Sequence, residues 1–306
     1  MREVLKTNNP VLLDFAQVLL VDAGIDAQVF DSHMSVMDGS LGILPRRIMV
    51  PDEQHGRAET ILRDGLAADA RRAGDGFLDG KVVARQPEEG FRSGLDAVML
   101  AASVPARAGD SALELGSGAG VASLCLAARV QDCRVTGVEI DASLAAAANE
   151  NARINASRAR FVCADVFQLP QELRREFPHV FCNPPFHGEG ARSPDDARAR
   201  ALHDNGRLAD WLQAGLKRTA SNGSFTAILR ADRLDEALAA LPSAGLRILP
   251  LWPKAGVPAR RVIVSLWKDS RAPLLLLPGL VLHESNGDWT DAADAVLREG
   301  KAIDLG

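Results

Sequence analysis

Residues 181–190 read FCNPPFHGEG, and the tetrad Asn-Pro-Pro-Phe within them has the groups needed to hold an amine. An amine conjugated to an aromatic ring or a carbonyl is a poor nucleophile because its lone pair is delocalised. The Asn183 side-chain carbonyl and the Pro184 main-chain carbonyl can each accept one N–H, which aims the nitrogen at an electrophile and stabilises its developing positive charge. Proline suits this role because its ring fixes φ and leaves no competing N–H. Phe186 offers an aromatic face to a planar target.

A glycine-rich segment, ELGSGAG (114–120), follows an apolar run and opens a helical pattern. Gly116 and Gly118, together with Gly120, let the backbone turn tightly and approach a ligand closely. A plain glycine-rich turn is the alternative interpretation, and the loop alone does not decide between them. Glu114 precedes the glycines, where its carboxylate could bind a ligand ammonium or hold the loop.

Two further acids stand at predicted strand ends after the glycine loop. Glu139 lies about 20 residues downstream, where an acidic side chain can accept both hydroxyls of a ribose. Asp165 follows the next strand and can accept a hydrogen bond from an adenine amino group. An exposed acid at a strand end is the simpler interpretation of each residue. The glycine loop, Glu139 and Asp165 follow three strands whose ends are in register, and this favours a nucleoside-containing cofactor instead.

The strands that must position these residues are apolar runs separated by helical patterns. Because the runs are continuous rather than alternating, they predict a parallel sheet covered by helices on both faces, in a doubly wound, Rossmann-like α/β domain spanning residues 77–306. Ligands of such a sheet bind at the carboxyl ends of its strands. The seven predicted strands are 112–115, 134–139, 159–163, 179–182, 224–229, 246–251 and 261–268.

Residues 1–70 predict a separate small α+β domain. Its apolar pattern gives the order β-α-β-β-α, which suggests a ferredoxin-like sandwich. The polar, glycine-containing segment 71–76 (RRAGDG) suits a linker. Residues 1 to about 66 resemble a family of small bacterial domains described only as signal-transducing modules. The resemblance implies a regulatory domain that binds a small ligand or a partner protein, and it carries no defined chemistry.

Composition narrows the class of protein. The chain has 306 residues, of which 47% are hydrophobic and 25% charged, as expected for a globular protein. It has no signal-like start and no apolar run of the roughly 20 residues that a membrane span needs, so we expect a cytoplasmic protein without membrane contact. The net charge is −5, but residues 1–76 hold 8 Lys and Arg against 12 Asp and Glu. Most of the acidity therefore lies outside the predicted catalytic domain, and a nucleic-acid substrate stays open. The four cysteines have no metal-ligand spacing and predict buried thiols and no metal site.

The combined motifs resemble those of class I S-adenosylmethionine-dependent methyltransferases. A nicotinamide dehydrogenase would carry G-x-G-x-x-G, whereas this loop has an acid before its glycines. In the family, Glu114, Gly116 and Gly118 correspond to the cofactor loop, and Glu139 and Asp165 to the ribose and adenine positions. The tetrad matches the [DNS]-P-P-[FY] motif of amino-group methyltransferases. The resemblance thus implies S-adenosylmethionine as the cofactor and Asn183, Pro184 and Phe186 as catalytic residues.

A narrower resemblance covers residues 77–300. The segments 86–106, 193–212, 249–268 and 272–284 look like those of bacterial tRNA adenine-N6 methyltransferases that modify a valine tRNA beside its anticodon. By that likeness Ser93 and Asp96 would approach the methionine end of the cofactor, with helix capping as the alternative. His187 and Arg192 follow the tetrad and could contact the nucleic acid, although a solvated helix start explains them equally well.

Three functions stay open at this stage. The favoured one is adenine-N6 methylation of tRNA. A second keeps the reaction but changes the acceptor to a release-factor glutamine (N5) or an rRNA guanine (N2), since enzymes of both kinds carry NPP[FY]. The third is a non-catalytic module that senses an adenosine ligand. The complete Asn-Pro-Pro-Phe tetrad, here called the amine clamp, lies beside a complete cofactor loop and argues against this third function.

Overall fold

The computed structural model describes residues 1–7, 10–30, 46–72, 74–87, 92–185 and 208–306. The chain divides into two compact units, Met1–Ala73 and Gly74–Gly306. Each unit has its own hydrophobic core, because the buried apolar clusters do not mix residues of the two.

The first unit is a three-stranded antiparallel sheet packed against two helices. Its central strand is the third along the chain, so that β1 and β2 flank β3. The core joins one face of α1, at Leu13 and Leu20, to Ile48 of the sheet and Leu62 of the second helix. The β-α-β-β-α order predicted from the sequence is confirmed. The elements are β1 (Arg2–Thr7), α1 (Pro10–Asp22), β2 (Gln28–Phe30), β3 (Arg46–Val50) and α2 (His55–Arg72).

The second unit begins with a small hairpin, β4 (Asp75–Phe77) and β5 (Val82–Ala84), and then alternates strands and helices. The alternating elements are α3 (Leu95–Ser103), β6 (Ser111–Leu115), α4 (Val121–Arg129), β7 (Arg134–Glu139), α5 (Ala142–Ile154), β8 (Arg160–Cys163), β9 (Phe177–Cys182), α6 (Leu208–Arg218), β10 (Thr219–Arg230), α7 (Leu234–Ala240), β11 (Leu246–Lys254), β12 (Arg261–Trp267), β13 (Leu275–Leu276), β14 (Leu280–His283) and α8 (Asp291–Asp294).

These strands form one sheet in the order β8-β7-β6-β9-β10-β12-β11, with β13 and β14 both beside β11. The order reverses between β6 and β9, because the chain builds outward from β6 to β8 and then returns to the other side of β6. All neighbours up to β10 are parallel, whereas β12 runs antiparallel to β10 and β11. The sheet is therefore mixed, not wholly parallel as expected. β12 is antiparallel to β11 because only a short loop joins the two strands, whereas parallel neighbours need a crossover of a dozen or more residues.

Alternate residues of each strand enter opposite cores, which explains the continuous apolar runs. In β9, Phe181 faces the layer formed by α3, α4 and α5, whereas Val180 and Cys182 face α6 and α7. Helices thus cover both faces of the sheet, as predicted. In the part of the chain that the structure describes, no helix is long and apolar enough to cross a membrane.

Candidate active site

The strand pairing brings the predicted site residues to one edge of the sheet. Leu115 at the end of β6 pairs with Val138 on one side and with Cys182 on the other, and Glu139 pairs with Cys163 of β8. The residues after these strands therefore lie side by side at the carboxyl edge. This edge includes the reversal between β6 and β9, where open α/β sheets bind their ligands.

The glycine loop is fixed against β7. The backbone N–H groups of Gly116 and Ser117 both donate to the Val138 carbonyl, at 2.8 and 2.9 Å. Gly116, Gly118 and Gly120 all have positive φ, at 71°, 53° and 85°. A Cβ on Gly120 would lie 2.6 Å from the Phe161 ring, but a Cβ on Gly118 would meet no atom of the described residues within 4 Å. The loop is thus tightly packed at its end and open at Gly118.

Glu139 links the loop to the start of α5. One carboxylate oxygen accepts the N–H of Gly118 at 2.8 Å, and the other accepts the N–H of Asp141 at 3.0 Å. The residue is 8% exposed. Each carboxylate oxygen has about two acceptor positions, so one on each oxygen remains for a ligand hydroxyl. The geometry fits the predicted ribose contact.

Glu114 holds the first turn of α4. Its Oε2 accepts both the backbone N–H of Ser123 at 3.0 Å and the Ser123 hydroxyl at 2.5 Å. The pKa of the Glu114 carboxyl is raised to about 8, chiefly because the group is buried; the two Ser123 bonds lower it and the neighbouring Glu139 adds a smaller rise. Of the two roles that the sequence left open, these contacts favour the structural one, because they fix the start of the helix that directly follows the glycine loop.

Asp165 is half-buried after β8, and its Oδ1 accepts the N–H of Phe167 at 2.8 Å. This turn leaves Phe167 partly exposed and edge-on to Trp211 of α6, with ring centroids 5.8 Å apart. Trp211 in turn lies against the glycine loop, since a Cβ on Gly116 would come within 2.9 Å of its ring. An aromatic pair therefore borders the predicted adenine position.

Asn183 and Pro184 follow β9 directly, beside the glycine loop. The Asn183 side-chain oxygen is buried and has no hydrogen-bond partner among the described residues, and the same is true of the Ser117 hydroxyl. A buried acceptor without a partner costs free energy, about 1–3 kcal/mol in mutational data. Such a group is expected where a ligand completes the bonding. Phe186, His187 and Arg192 lie outside the described residues.

Ser93 and Asp96 flank the start of α3, whose N-cap is Gly94 without a side-chain capping bond. Asp96 instead accepts the Arg261 Nε–H at 2.8 Å, and the Asp96 side chain is 19% exposed. Gln86 holds the backbone of Ser93 by bonds to both its N–H and its carbonyl. Gly94 thus occupies the N-cap position, and the cofactor contact of Ser93 and Asp96 stays a prediction. Arg261 stands opposite Arg230 at the carboxyl end of β10, so Asp96 lies at the same edge as the other site residues.

Two residues that support the glycine loop were not predicted from the sequence. Asn151 of α5 is fully buried and donates to the carbonyls of Ala119 and Arg85, at 2.9 and 3.0 Å. It thereby ties the loop to the segment after the β4–β5 hairpin. Trp211 covers the other side of the loop. Helical periodicity predicts a buried position for both but does not show which loop each one contacts.

A sheet with this strand order, a glycine loop at its reversal and carboxylates at the neighbouring strand ends define a class I methyltransferase. Residues 94–209 match the family model of the methyltransferase small domain. The chain belongs to the family of tRNA1(Val) (adenine(37)-N6)-methyltransferases. A Bacteroides fragilis member is 31% identical over 183 residues, which cover 57% of this chain and 76% of that protein. A Shewanella baltica member is 28% identical over 219 residues, covering 69% of this chain and 92% of that protein. The predicted family is confirmed.

The fold has a counterpart among solved structures. A crystal structure from Agrobacterium tumefaciens, titled a predicted O-methyltransferase, superposes with a TM-score of 0.57 at 29% identity, covering 68% of this chain and 98% of that one. Residues 1–65 match a different family, DUF2007, described as a prokaryotic signal transducing protein. That description names no ligand and no reaction.

Proposed function

We propose that the protein transfers a methyl group from S-adenosylmethionine to the exocyclic N6 amine of an adenine in tRNA, with adenine 37 of a valine tRNA as the target. The observation that carries the proposal is the buried Asn183 oxygen, which has no partner in the described part of the chain and stands beside the glycine loop. The relatives are named as tRNA adenine-N6 methyltransferases, and these names support adenine as the methylated base and tRNA as the substrate.

The residues at the edge fit this cofactor. Glu139 has acceptor positions left for the ribose hydroxyls, Gly118 leaves open space above the loop, and the Ser117 hydroxyl lacks a partner among the described residues. Asp165 and Phe167 offer an acceptor and an aromatic face to the adenine. When bound, the cofactor supplies an electrophilic methyl group on a sulfonium.

The protein's own part in the reaction is to orient the amine. The Asn183 and Pro184 carbonyls accept one hydrogen bond from each of the two N–H groups of the amine. This arrangement turns the nitrogen lone pair toward the methyl group. The amine becomes more positive as the bond forms, so both carbonyl dipoles interact with it more strongly in the transition state than in the ground state. One such contact is worth about 3 kcal/mol, or two to three orders of magnitude in turnover.

An oxygen acceptor fits this arrangement less well. A hydroxyl has one proton and can donate a hydrogen bond to only one acceptor, whereas an exocyclic amine has two N–H groups and can donate to two acceptors. The O-methyltransferase activity predicted for the Agrobacterium protein therefore carries no weight for the acceptor here. A glutamine amide or a guanine amine would occupy both carbonyls, and these remain the competing acceptors that an experiment must separate.

The test is to incubate the purified protein with labelled S-adenosylmethionine and, in parallel, unmodified tRNA, rRNA and release factor, and then to digest and identify the product. We expect N6-methyladenosine from tRNA. Asn183→Ala should lower turnover about 100-fold to 1000-fold with cofactor affinity unchanged. Asn183→Asp is the matched control because it keeps an acceptor oxygen, and it should retain more activity than the alanine variant.

Two outcomes would contradict the proposal. Label found in N5-methylglutamine or N2-methylguanosine, with none in tRNA adenine, would replace the acceptor and leave the clamp in place. Wild-type turnover in Asn183→Ala would remove the clamp itself.

A further inference from the structure

A groove of about 1160 Å³ runs along the α6 face of the second unit. It begins at Asp165 and Phe167, at the carboxyl edge of the sheet, and extends to Arg174, Arg218 and Lys268. Lys268 follows the last residue of β12, and Arg218 precedes the first residue of β10, so the far end lies at the amino edge of β10. Pockets for small ligands usually measure about 300–1,000 Å³, and the groove is larger and open. It extends well past the residues that would hold the cofactor.

The basic side chains that line this groove lie at its far end. Arg174, Lys217, Arg218 and Lys268 line it there, whereas the lining acids, Asp165 and Asp210, stand toward the cofactor end. The two ends of the groove therefore differ in charge, although the whole protein has a net charge of −5.

Most of these cations are held in place by main-chain carbonyls. The Arg174 Nε–H donates to the Leu169 carbonyl at 2.7 Å, and Arg218 donates to the Arg174 carbonyl. Lys268 donates to the Thr219 carbonyl at 2.6 Å and also pairs with the partly exposed Glu176 at 3.3 Å. Carbonyls orient a cation without cancelling its charge, and each guanidinium keeps further N–H donors. Lys217 is exposed and makes no ion pair with a carboxylate in the described ranges.

The helix α6 joins the basic end of the groove to the cofactor loop. Trp211, near its start, lies against Gly116, and Lys217 and Arg218 end it. The helix has 11 residues and is therefore about 16 Å long. A strand whose target base reaches the clamp would carry its next phosphates along this helix. Arginine and lysine are the residues that contact phosphates in nucleic-acid complexes, and such contacts fix register without reading sequence.

We infer that the basic end of this groove, formed by Arg174, Lys217, Arg218 and Lys268, binds the sugar–phosphate backbone of the RNA substrate a few nucleotides from the methylated base. This inference rests on the proposed function. The site is a phosphate-binding surface that contributes to RNA affinity and takes no part in methyl transfer.

The cleanest test is Lys217→Glu, because Lys217 is exposed and makes no described contact that holds the fold. With saturating cofactor, the KM for tRNA should rise about tenfold since a like charge then faces the phosphates, whereas kcat and cofactor affinity should stay within twofold. Lys217→Ala should reduce the slope of log KM against log salt by about one. Arg218→Gln is a second variant with the same expectation for KM. Lys301→Glu, an exposed lysine that does not line the groove, is the control and should leave KM unchanged.

The outcomes separate the two proposals. If the wild type methylates tRNA and both Lys217→Glu and Arg218→Gln match it in KM and salt slope, the groove inference is wrong and the proposed function stands. If the wild type methylates release factor but not tRNA, both are overturned. A rise in the KM for cofactor, with none for tRNA, would assign the groove to the cofactor instead.

Discussion

Replacing Glu114 by glutamine should change how the stability of the second unit depends on pH. Burial raises the pKa of this carboxyl to about 8, from about 4.5 without that environment. A group whose pKa is raised by folding contributes stability below its unfolded pKa, and that contribution is lost as the pH rises through the folded value. The wild type should therefore become less stable than Glu114→Gln as the pH rises.

The two pKa values set the size of the effect. Between about pH 5 and pH 8, a pKa of about 8 in the folded state against 4.5 in the unfolded state corresponds to several kcal/mol of stability. A domain is usually stable by about 5–15 kcal/mol, so the change is large enough to measure. Glutamine has the shape of a protonated glutamate, and its amide oxygen can still accept the Ser123 N–H. The two proteins should therefore differ least at the acidic end of the range.

Tryptophan fluorescence is suited to the measurement because all four tryptophans (Trp211, Trp252, Trp267 and Trp289) belong to the second unit. Urea unfolding of both proteins at a series of pH values gives the difference in free energy of unfolding. Glu284→Gln, at an exposed position, is the control and should follow the wild type. A difference that stays constant with pH, or that favours the wild type as the pH rises, would refute the assignment of Glu114 as a buried, protonated carboxyl. Added S-adenosylmethionine decides the remaining role, since an ammonium bound at Glu114 would favour its ionised form and reduce the difference.

Three further predictions concern the cofactor loop and the first unit. Glu139→Ala removes the acceptor of the Gly118 N–H and of the predicted ribose bonds, so calorimetry should show cofactor affinity at least about tenfold weaker, and unchanged affinity would remove the cofactor assignment. Gly116→Ala places a methyl group 2.9 Å from the Trp211 ring at a φ of 71°; it should lower the free energy of unfolding by about 1–3 kcal/mol, and a wild-type urea midpoint would contradict the packing. Deleting residues 1–70 should leave a soluble protein that binds S-adenosylmethionine, and a truncated protein that binds none would show that the first unit completes the site.

The central strands were predictable because each is a short apolar run with buried residues on both faces. The prediction of 134–139 coincides with β7, and 246–251 and 261–268 begin where β11 and β12 begin. β10 starts at Thr219 rather than at residue 224, since the polar segment before Ser224 gives no apolar signal. Its pairing with β9 shifts register there, and a Cβ on Gly223 would lie 2.5 Å from the Pro178 carbonyl. Such a close backbone approach depends on the neighbouring strand, which a local pattern does not contain.

The site was predictable where its residues adjoin strand ends and unpredictable where they meet across the fold. Strand ends place Glu139 and Asn183 at one edge as soon as the sheet is inferred. The pair of Asp96 with Arg261 joins residues 165 positions apart, and nothing in either segment specifies the other. The contact of Trp211 with Gly116 likewise depends on how α6 packs on the sheet.

The order of the strands also explains why one edge can serve two ligands. β7 and β8 lie on one side of β6 and bring Glu139 and Asp165, the groups suited to a nucleoside, whereas β9 lies on the other side and brings Asn183. The glycine loop follows β6 itself and therefore stands between them. A ligand held by Glu139 and the loop would direct its far end toward β9, where a buried carbonyl lacks a partner among the described residues. An insertion that moved β9 to the outside of β8 would keep every motif in the sequence and still separate the amine from the methyl group. The proposed catalytic arrangement thus depends on the reversal of strand order as much as on the residues of the tetrad.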